Sequence, residues 1–180
     1  MFAKVLTAAT VILALSTPGW AQDRKDLQVL RDVSSRVLTY TQFSIFDAVH
    51  MQLDNGVVTL TGKVTMPYKR TDIEKRVAKV DGVQQVVNKI TVLPVSPYDD
   101  DLRFRIARAI YGNSMFWTYG SMANPPIHIV VENGHVTLDG VVNSSVERML
   151  ARSLATGFGA FSVTNELKTD EEMQQTLEHL

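Results

Sequence analysis

The sequence predicts an α+β fold of two tandem modules, each in the order helix, strand, strand, helix, strand (αββαβ). A motif containing a histidine, an Asn-Gly pair, a Thr-Leu pair and a glycine occurs twice, 78 residues apart, as His50–Gly62 and His128–Gly140. Hydrophobic residues flanking both copies recur every three or four positions, as in helices, and those inside alternate, as in strands. Each module is therefore expected to form a three-stranded mixed sheet that two helices cover on one face.

A stripe of apolar residues at spacings of three and four indicates the first helix of each module. The stripe consists of Leu27, Leu30, Val33 and Val37 in the first copy and of Leu102, Ile106 and Ile110 in the second. Acidic residues 99–101 open the latter helix, where they suit the positive helix N-terminus. The second helix of each module is expected to begin after an N-cap, Thr65 in the first copy and Asn143 in the second.

A β-hairpin is predicted in each copy, because Asn55-Gly56 and Asn133-Gly134 tolerate the positive φ angles of a tight turn. Closing strands are predicted over Val83–Val92 and Phe161–Leu167. Each closing strand follows a helical crossover and should run parallel to the strand before it, whereas the hairpin is antiparallel. The alignment of the two copies shifts upstream, which places about five extra residues of the second copy near Tyr119–Pro126.

These elements divide the chain into five segments. We expect a signal peptide over residues 1–21, the first module over residues 26–93 and the second module over residues 99–168. Residues 94–98 form a short, stiff linker with two prolines, and residues 169–180 form a tail with the pattern of a short helix.

The start of the chain has the three parts of a secretory signal peptide. Lys4 is positively charged, residues 5–15 are apolar, and Gly19-Trp20-Ala21 offers small residues for cleavage after Ala21. The alternative, a membrane anchor, needs a longer apolar stretch. The chain has no cysteine, which excludes a lipid-modified cysteine anchor. We therefore expect a periplasmic protein without a transmembrane span after cleavage.

The charge balance argues against nucleic acid as a partner. The chain has 18 basic and 19 acidic residues, for a formal net charge of −1, and loss of Lys4 with the signal peptide leaves −2. Domains that bind nucleic acid instead carry a clustered excess of positive charge.

The hairpin motif and the closing strand together resemble the BON domain. The resemblance rests on residues 49–64 and 81–90 in the first copy and on residues 131–142 and 159–167 in the second. It implies the αββαβ fold, periplasmic work of the OsmY type in envelope maintenance or osmotic and envelope stress, and phospholipid surfaces or client proteins as partners. It implies no catalytic residue. The chain lacks the anchor cysteine of lipoprotein members and the peptidoglycan-binding module of potassium-binding members, so neither of those roles is implied.

Motifs of enzymes and cofactor sites are absent. The sequence has no Gly-x-Ser-x-Gly, His-Glu-x-x-His, phosphate-loop or dinucleotide-binding pattern, so we expect no enzymatic activity and no cofactor. His50 and His128 hold equivalent positions, but the sequence supplies no set of three or four metal ligands around them. We interpret both as strand residues on the face away from the core.

Candidate binding residues lie on and after the first helix of the second copy. We define the aromatic segment as residues 111–119, in which four aromatic residues and a methionine follow a helix with three arginines. The candidate residues for binding a lipid or a partner are Arg103, Arg105, Arg108, Tyr111, Met115, Trp117 and Tyr119. Rings beside cations suit a membrane interface with anionic headgroups. Alternatively, the segment packs under its own module, as the alignment of Phe116 with Phe43 indicates.

Two hypotheses for the function follow from the sequence. The first is a non-enzymatic protein that binds anionic phospholipid surfaces. The second is a chaperone-like or protein-interaction module without lipid preference, since a three-stranded sheet leaves a strand edge open for pairing. A second basic stretch, residues 69–79, is interpreted as a solvated helix face that adds only modest attraction to lipid.

Overall fold

The computed structural model describes residues 19–178 of the chain, with side chains described for residues 26–175. Most of the predicted signal peptide, residues 1–18, lies outside the described residues. The predicted αββαβ fold is present twice. Module one consists of α1 (Gly19–Leu38), β1 (Ala48–Asp54), β2 (Val57–Val64), α2 (Pro67–Val77), β3 (Gln85–Asn88) and β4 (Thr91–Val92). Module two consists of α3 (Pro97–Tyr111), a 3₁₀ turn (Ser114–Phe116), α4 (Trp117–Gly120), β5 (Ile127–Glu132), β6 (His135–Val142), α5 (Ser145–Thr156), β7 (Ser162–Asn165), β8 (Lys168–Thr169) and a final helix α6 (Asp170–Glu178).

The second strand of the hairpin is the centre of each sheet. In module one, β2 pairs antiparallel with β1 and parallel with β3, and module two repeats this arrangement with β6 between β5 and β7. The closing strand is interrupted in both modules. Asn88 Oδ1 accepts a hydrogen bond from the backbone N–H of Ile90, and Asn165 does the same for Leu167. The chain leaves the ladder at this asparagine and rejoins it as β4 or β8, which explains why both copies carry it.

Each sheet buries one face beneath its own helices. The core of module two includes the predicted Leu102, Ile106 and Ile110. In module one Val33 and Val37 are buried as predicted, but Val29 completes the stripe, while Leu27 and Leu30 are only half-buried. Val29 is one helical turn before Val33 and therefore shares its face better than Leu27.

Both predicted N-caps of the second helices are wrong. Met66 occupies the N-cap of α2 without a side-chain hydrogen bond, because the Thr65 hydroxyl is bonded to Asp47 instead. Ser144, rather than Asn143, caps α5 by accepting from the Glu147 N–H. At α3 the cap is Ser96, so this helix begins at Pro97, inside the segment predicted as a linker.

Candidate functional site

The aromatic segment forms a compact turn at the end of α3. The Asn113 side chain accepts a hydrogen bond from the Met115 N–H, which starts the 3₁₀ turn. Phe116 is fully buried in the core of module two, with its ring centroid 6.0 Å from that of Tyr119. Two buried rings therefore hold the segment, and Trp117 between them is turned outward, with 76% of its surface exposed.

Tyr119 joins the segment to α5. Its hydroxyl donates to Glu147 Oε2 at 2.8 Å and accepts from the Asn143 N–H at 2.9 Å. Burial and the hydrogen bond to Glu147 raise the pKa of Tyr119 to about 12. The phenol therefore stays protonated at physiological pH and continues to donate to the carboxylate.

Three of the predicted binding residues are structural, which corrects the prediction that they face a partner. Tyr119 is only 6% exposed, and the Tyr111 hydroxyl donates to the Ile127 carbonyl at 2.5 Å. Burial raises the pKa of Tyr111 as well. Arg103 is 4% exposed, where it donates to the Val131 carbonyl at 2.6 Å and pairs with Asp100. All three side chains are bonded within module two, Arg103 and Tyr111 of α3 to carbonyls of β5, and Tyr119 of α4 to Glu147 of α5.

Three other candidates, Arg108, Met115 and Trp117, are exposed and lie within ten residues of one another in the sequence. Met115 is 48% exposed, and Arg108 is exposed without an ion pair among the described residues. Arg105 is half-buried and pairs with Asp101 at 2.8 Å, which offsets most of its charge. The candidate site thus reduces to Arg108, Met115 and Trp117.

In module one, a buried ion pair takes the place of the hydrogen bond between Tyr119 and the second helix of module two. Asp47 is fully buried and accepts hydrogen bonds from Lys69 Nζ at 2.6 Å, the Thr65 N–H and the Ser44 N–H. Burial alone would raise the pKa of Asp47, but the hydrogen bonds, above all from Lys69, hold it below its usual range. Lys69 corresponds to Glu147 at the repeat offset of 78. The inserted residues of module two therefore replace a buried ion pair with the Tyr119–Glu147 hydrogen bond.

The two modules are packed together along a seam that the sequence did not predict. We define the seam loop as residues 43–46 of module one. The Ile129 N–H of edge strand β5 donates to the Ile45 carbonyl at 2.7 Å, and the ring of Phe46 lies edge-on to Phe104 of α3. A small buried cluster of Ala48, Leu93 and Val130 spans both modules.

The seam places the two equivalent histidines, His50 and His128, in different surroundings. His128 faces away from the core of its own module, as predicted, but module one covers that face, and its ring lies 5.4 Å from that of Phe43. His50 remains exposed, 3.4 Å from Asp139. Among the described residues no group of three or more His, Cys, Asp or Glu side chains is arranged to hold a metal ion.

Two clefts at the seam are small. One, of about 190 Å³, is lined by Phe43 and His128 among others, and another, of about 220 Å³, by His50 and Asp139. Sites for small molecules commonly measure about 300–1,000 Å³. The exposed surface around Trp117 is therefore a better candidate for binding than either cleft.

The half-buried ring of His128 leads us to predict that the stability of the protein falls in mild acid. Burial lowers its pKa, against opposing contributions from Asp139 and from the backbone near Asp47 and Ser44. Above the unfolded value of about 6.5 the ring is neutral in both states, and below it the unfolded chain binds more protons. The free energy of unfolding should fall as pH drops below that value, and less so in His128→Gln.

Urea unfolding of the wild type and His128→Gln at several pH values between 7.5 and 5 would measure this difference. His135→Gln is the matched control, since His135 is exposed and bonded to Ser162 away from the seam. The same pH dependence in all three proteins would contradict the assignment. Asp47 does not interfere, because its lowered pKa affects stability only below its ordinary value of 3.8.

The structure is that of a protein of two packed α+β modules. The sequence profile of the BON domain matches residues 26–94 and again residues 99–171. The chain therefore belongs to the BON domain family, whose domains bind without catalysis and are often linked to phospholipids and the cell envelope. Within residues 19–178, no helix is long and apolar enough to cross a bilayer.

Two solved structures are similar to this chain at low identity. One is described as CdsD, a structural protein of the type III secretion system of Chlamydia trachomatis, at 16% identity over 84% of this chain and 97% of that chain, with a TM-score of 0.30. The other is the C-terminal domain of CdsD, at 14% identity over 78% of this chain and 96% of that chain, also with a TM-score of 0.30. Likeness at this level carries no argument about function. No curated protein matches this chain.

Proposed function

We propose that this protein is a periplasmic, non-enzymatic binding protein that contacts anionic phospholipid surfaces in envelope maintenance or stress. The observation that carries the proposal is the exposure of Trp117 on a turn that is fixed on both sides by Phe116 and Tyr119. A large ring held outward gains free energy when it enters the interfacial region of a bilayer. A fixed turn loses little conformational entropy on binding.

The neighbours of Trp117 fit the same partner. Met115 adds a second exposed apolar side chain two residues earlier, and Arg108 adds a cation at the end of α3. An apolar tip beside a cation matches the boundary between acyl chains and anionic headgroups. The signal peptide predicted over residues 1–21 would bring the protein to the compartment where such surfaces are present.

Replacing Trp117 with alanine tests the assignment. Because burying an aromatic side chain contributes about 1.5–3 kcal/mol, the variant should bind anionic vesicles about tenfold or more weakly. Co-sedimentation of the processed chain, residues 22–180, with phosphatidylglycerol vesicles would measure the change. Phe161→Ala is the matched control, since Phe161 is 73% exposed but lies on Gly134 at the hairpin of module two. Equal binding of both variants would remove Trp117 from the site.

The alternative is a protein-interaction or chaperone-like module without lipid preference. Within the described chain, β3 and β7 each pair with one neighbouring strand, so their outer edges are open for pairing. Both strands are only four residues long, which limits the hydrogen bonds that a client could form. Suppression of a client's aggregation in the absence of lipid would favour this function.

A further inference from the structure

We propose that module one has a second lipid-binding surface, the basic stripe, which we define as Tyr68, Arg70, Lys75 and Lys79 on and directly after α2. It attracts the protein to an anionic phospholipid surface, while the segment around Trp117 supplies apolar contact. This inference rests on the proposed function and adds to it a site in the other module.

Positive charge without an ion pair is more abundant on and after α2 than on α3. Arg103 and Arg105 of α3 are paired with Asp100 and Asp101, which leaves Arg108 as the free arginine of that helix. The cations of the basic stripe are all exposed, and within the described residues none of them forms an ion pair. Three free cations on one short stretch attract an anionic surface more strongly than Arg108 alone.

The acids of α2 are bonded to other parts of module one. Asp72 accepts a hydrogen bond from the Tyr40 hydroxyl at 2.8 Å, and Glu74 accepts one from Asn88 Nδ2 at 2.8 Å. Both carboxylates are half-buried, and Arg76 lies 4.9 Å above the Tyr40 ring. The donors are neutral, so both acids keep their negative charge, but Asp72 and Glu74 are half-buried, whereas the cations of the basic stripe are exposed.

Exposed apolar side chains lie near these cations on and before α2. Tyr68, Lys75 and Lys79 follow one another at spacings of seven and four, which places them along one side of the helix. Tyr68 is 49% exposed, and Met66, at the N-cap, is 48% exposed. Methionine is a poor N-cap, so helix stability does not account for it there. Exposed apolar residues next to cations are typical of a membrane interface.

The geometry favours a lipid surface over a single bound anion. Lys75 and Lys79 lie on one side of the helix with Tyr68, Arg70 is exposed on another side, and none of the three cations lines either cleft at the seam. Cations spread over the outside of a helix complement a layer of headgroups better than one phosphate, which is usually held by converging donors. Asp81 is the nearest exposed acid along the chain, and it lies beyond the end of the stripe.

The test replaces the three cations with Arg70→Gln, Lys75→Gln and Lys79→Gln together. The wild type, this variant and Trp117→Ala would be compared by co-sedimentation with phosphatidylglycerol vesicles at low and at high salt. At about fivefold per cation, binding of the triple variant at low salt should weaken by about a hundredfold. Its remaining binding should depend much less on salt than that of the wild type.

A control variant with the same change in net charge shows whether binding depends on the basic stripe or on the net charge of the whole protein. Lys89, Arg152 and Lys168 are exposed elsewhere, so Lys89→Gln, Arg152→Gln and Lys168→Gln together should change binding much less. If the two triple variants bind equally, the basic stripe is not a site. If Trp117→Ala weakens binding while the α2 variant binds like the wild type, this inference fails but the proposed function stands. If the wild type does not bind, both fail.

Discussion

Replacing Lys69 with methionine should destabilise module one by about 3–5 kcal/mol, because it leaves the buried carboxylate of Asp47 without its counter-charge. The side chains of Lys69 and Asp47 are 6% and 0% exposed, and their ion pair measures 2.6 Å. Methionine fills a similar volume, so the effect should come from the lost charge rather than from a cavity. The remaining hydrogen bonds to Asp47 come from neutral donors of Ser44 and Thr65.

Urea unfolding of Lys69→Met measures this loss, and Lys63→Met provides its control. Lys63 also pairs with a carboxylate, that of Glu132, but the two side chains are 40% and 37% exposed. Exposed pairs contribute at most about 1 kcal/mol, so the control should remain close to the wild type. Equal losses in the two variants would show that burial does not determine the strength of the Asp47–Lys69 pair.

Gly140→Ala should destabilise module two by about 1–3 kcal/mol from backbone strain alone, with a steric clash in addition. Gly140 has a φ of +120°, where residues with a Cβ are strained. A Cβ at this position would lie 1.9 Å from the Pro126 carbonyl oxygen, so the strands of the hairpin would have to move apart. Strands β5 and β6 also form part of the seam, so the seam should loosen too.

Gly157→Ala is the matched control for this substitution. Gly157 follows α5 with a φ of −77°, and a Cβ there would meet no atom within 4 Å. The control should change the free energy of unfolding by no more than about 1 kcal/mol. If Gly140→Ala and Gly157→Ala have the same midpoint in urea unfolding, the close approach of Gly140 to the Pro126 carbonyl does not contribute to stability.

The repeated motif was sufficient to predict the fold, because alternating residues around an Asn-Gly turn and helical stripes on either side define each module locally. The seam could not be predicted in this way. Phe43 and His128 are far apart in the sequence, and no periodic pattern relates the seam loop to strand β5. From the sequence, His128 therefore looked like a solvent-exposed strand residue, whereas the seam covers it in part.

The candidate site was predicted only in part for a related reason. Composition identified a stretch rich in aromatic residues and arginine, but only the register of α3 shows that Arg103 points to the Val131 carbonyl. One further signal was available, since Lys69 and Glu147 are opposite in charge at equivalent positions of the repeat. This charge reversal could be explained only once the structure showed that Tyr119 bonds to Glu147. Tyr119 lies next to residues that are inserted in module two only.

Lipid binding is tested most directly by co-sedimentation of the wild-type chain from residue 22 to residue 180 with phosphatidylglycerol and with phosphatidylcholine vesicles at low and high salt. We expect binding to the anionic vesicles that weakens as salt screens the exposed cations. Absence of binding to both kinds of vesicle, or equal binding to both at every salt concentration, would contradict it. Absence of binding would leave the protein-interaction module as the remaining function to test.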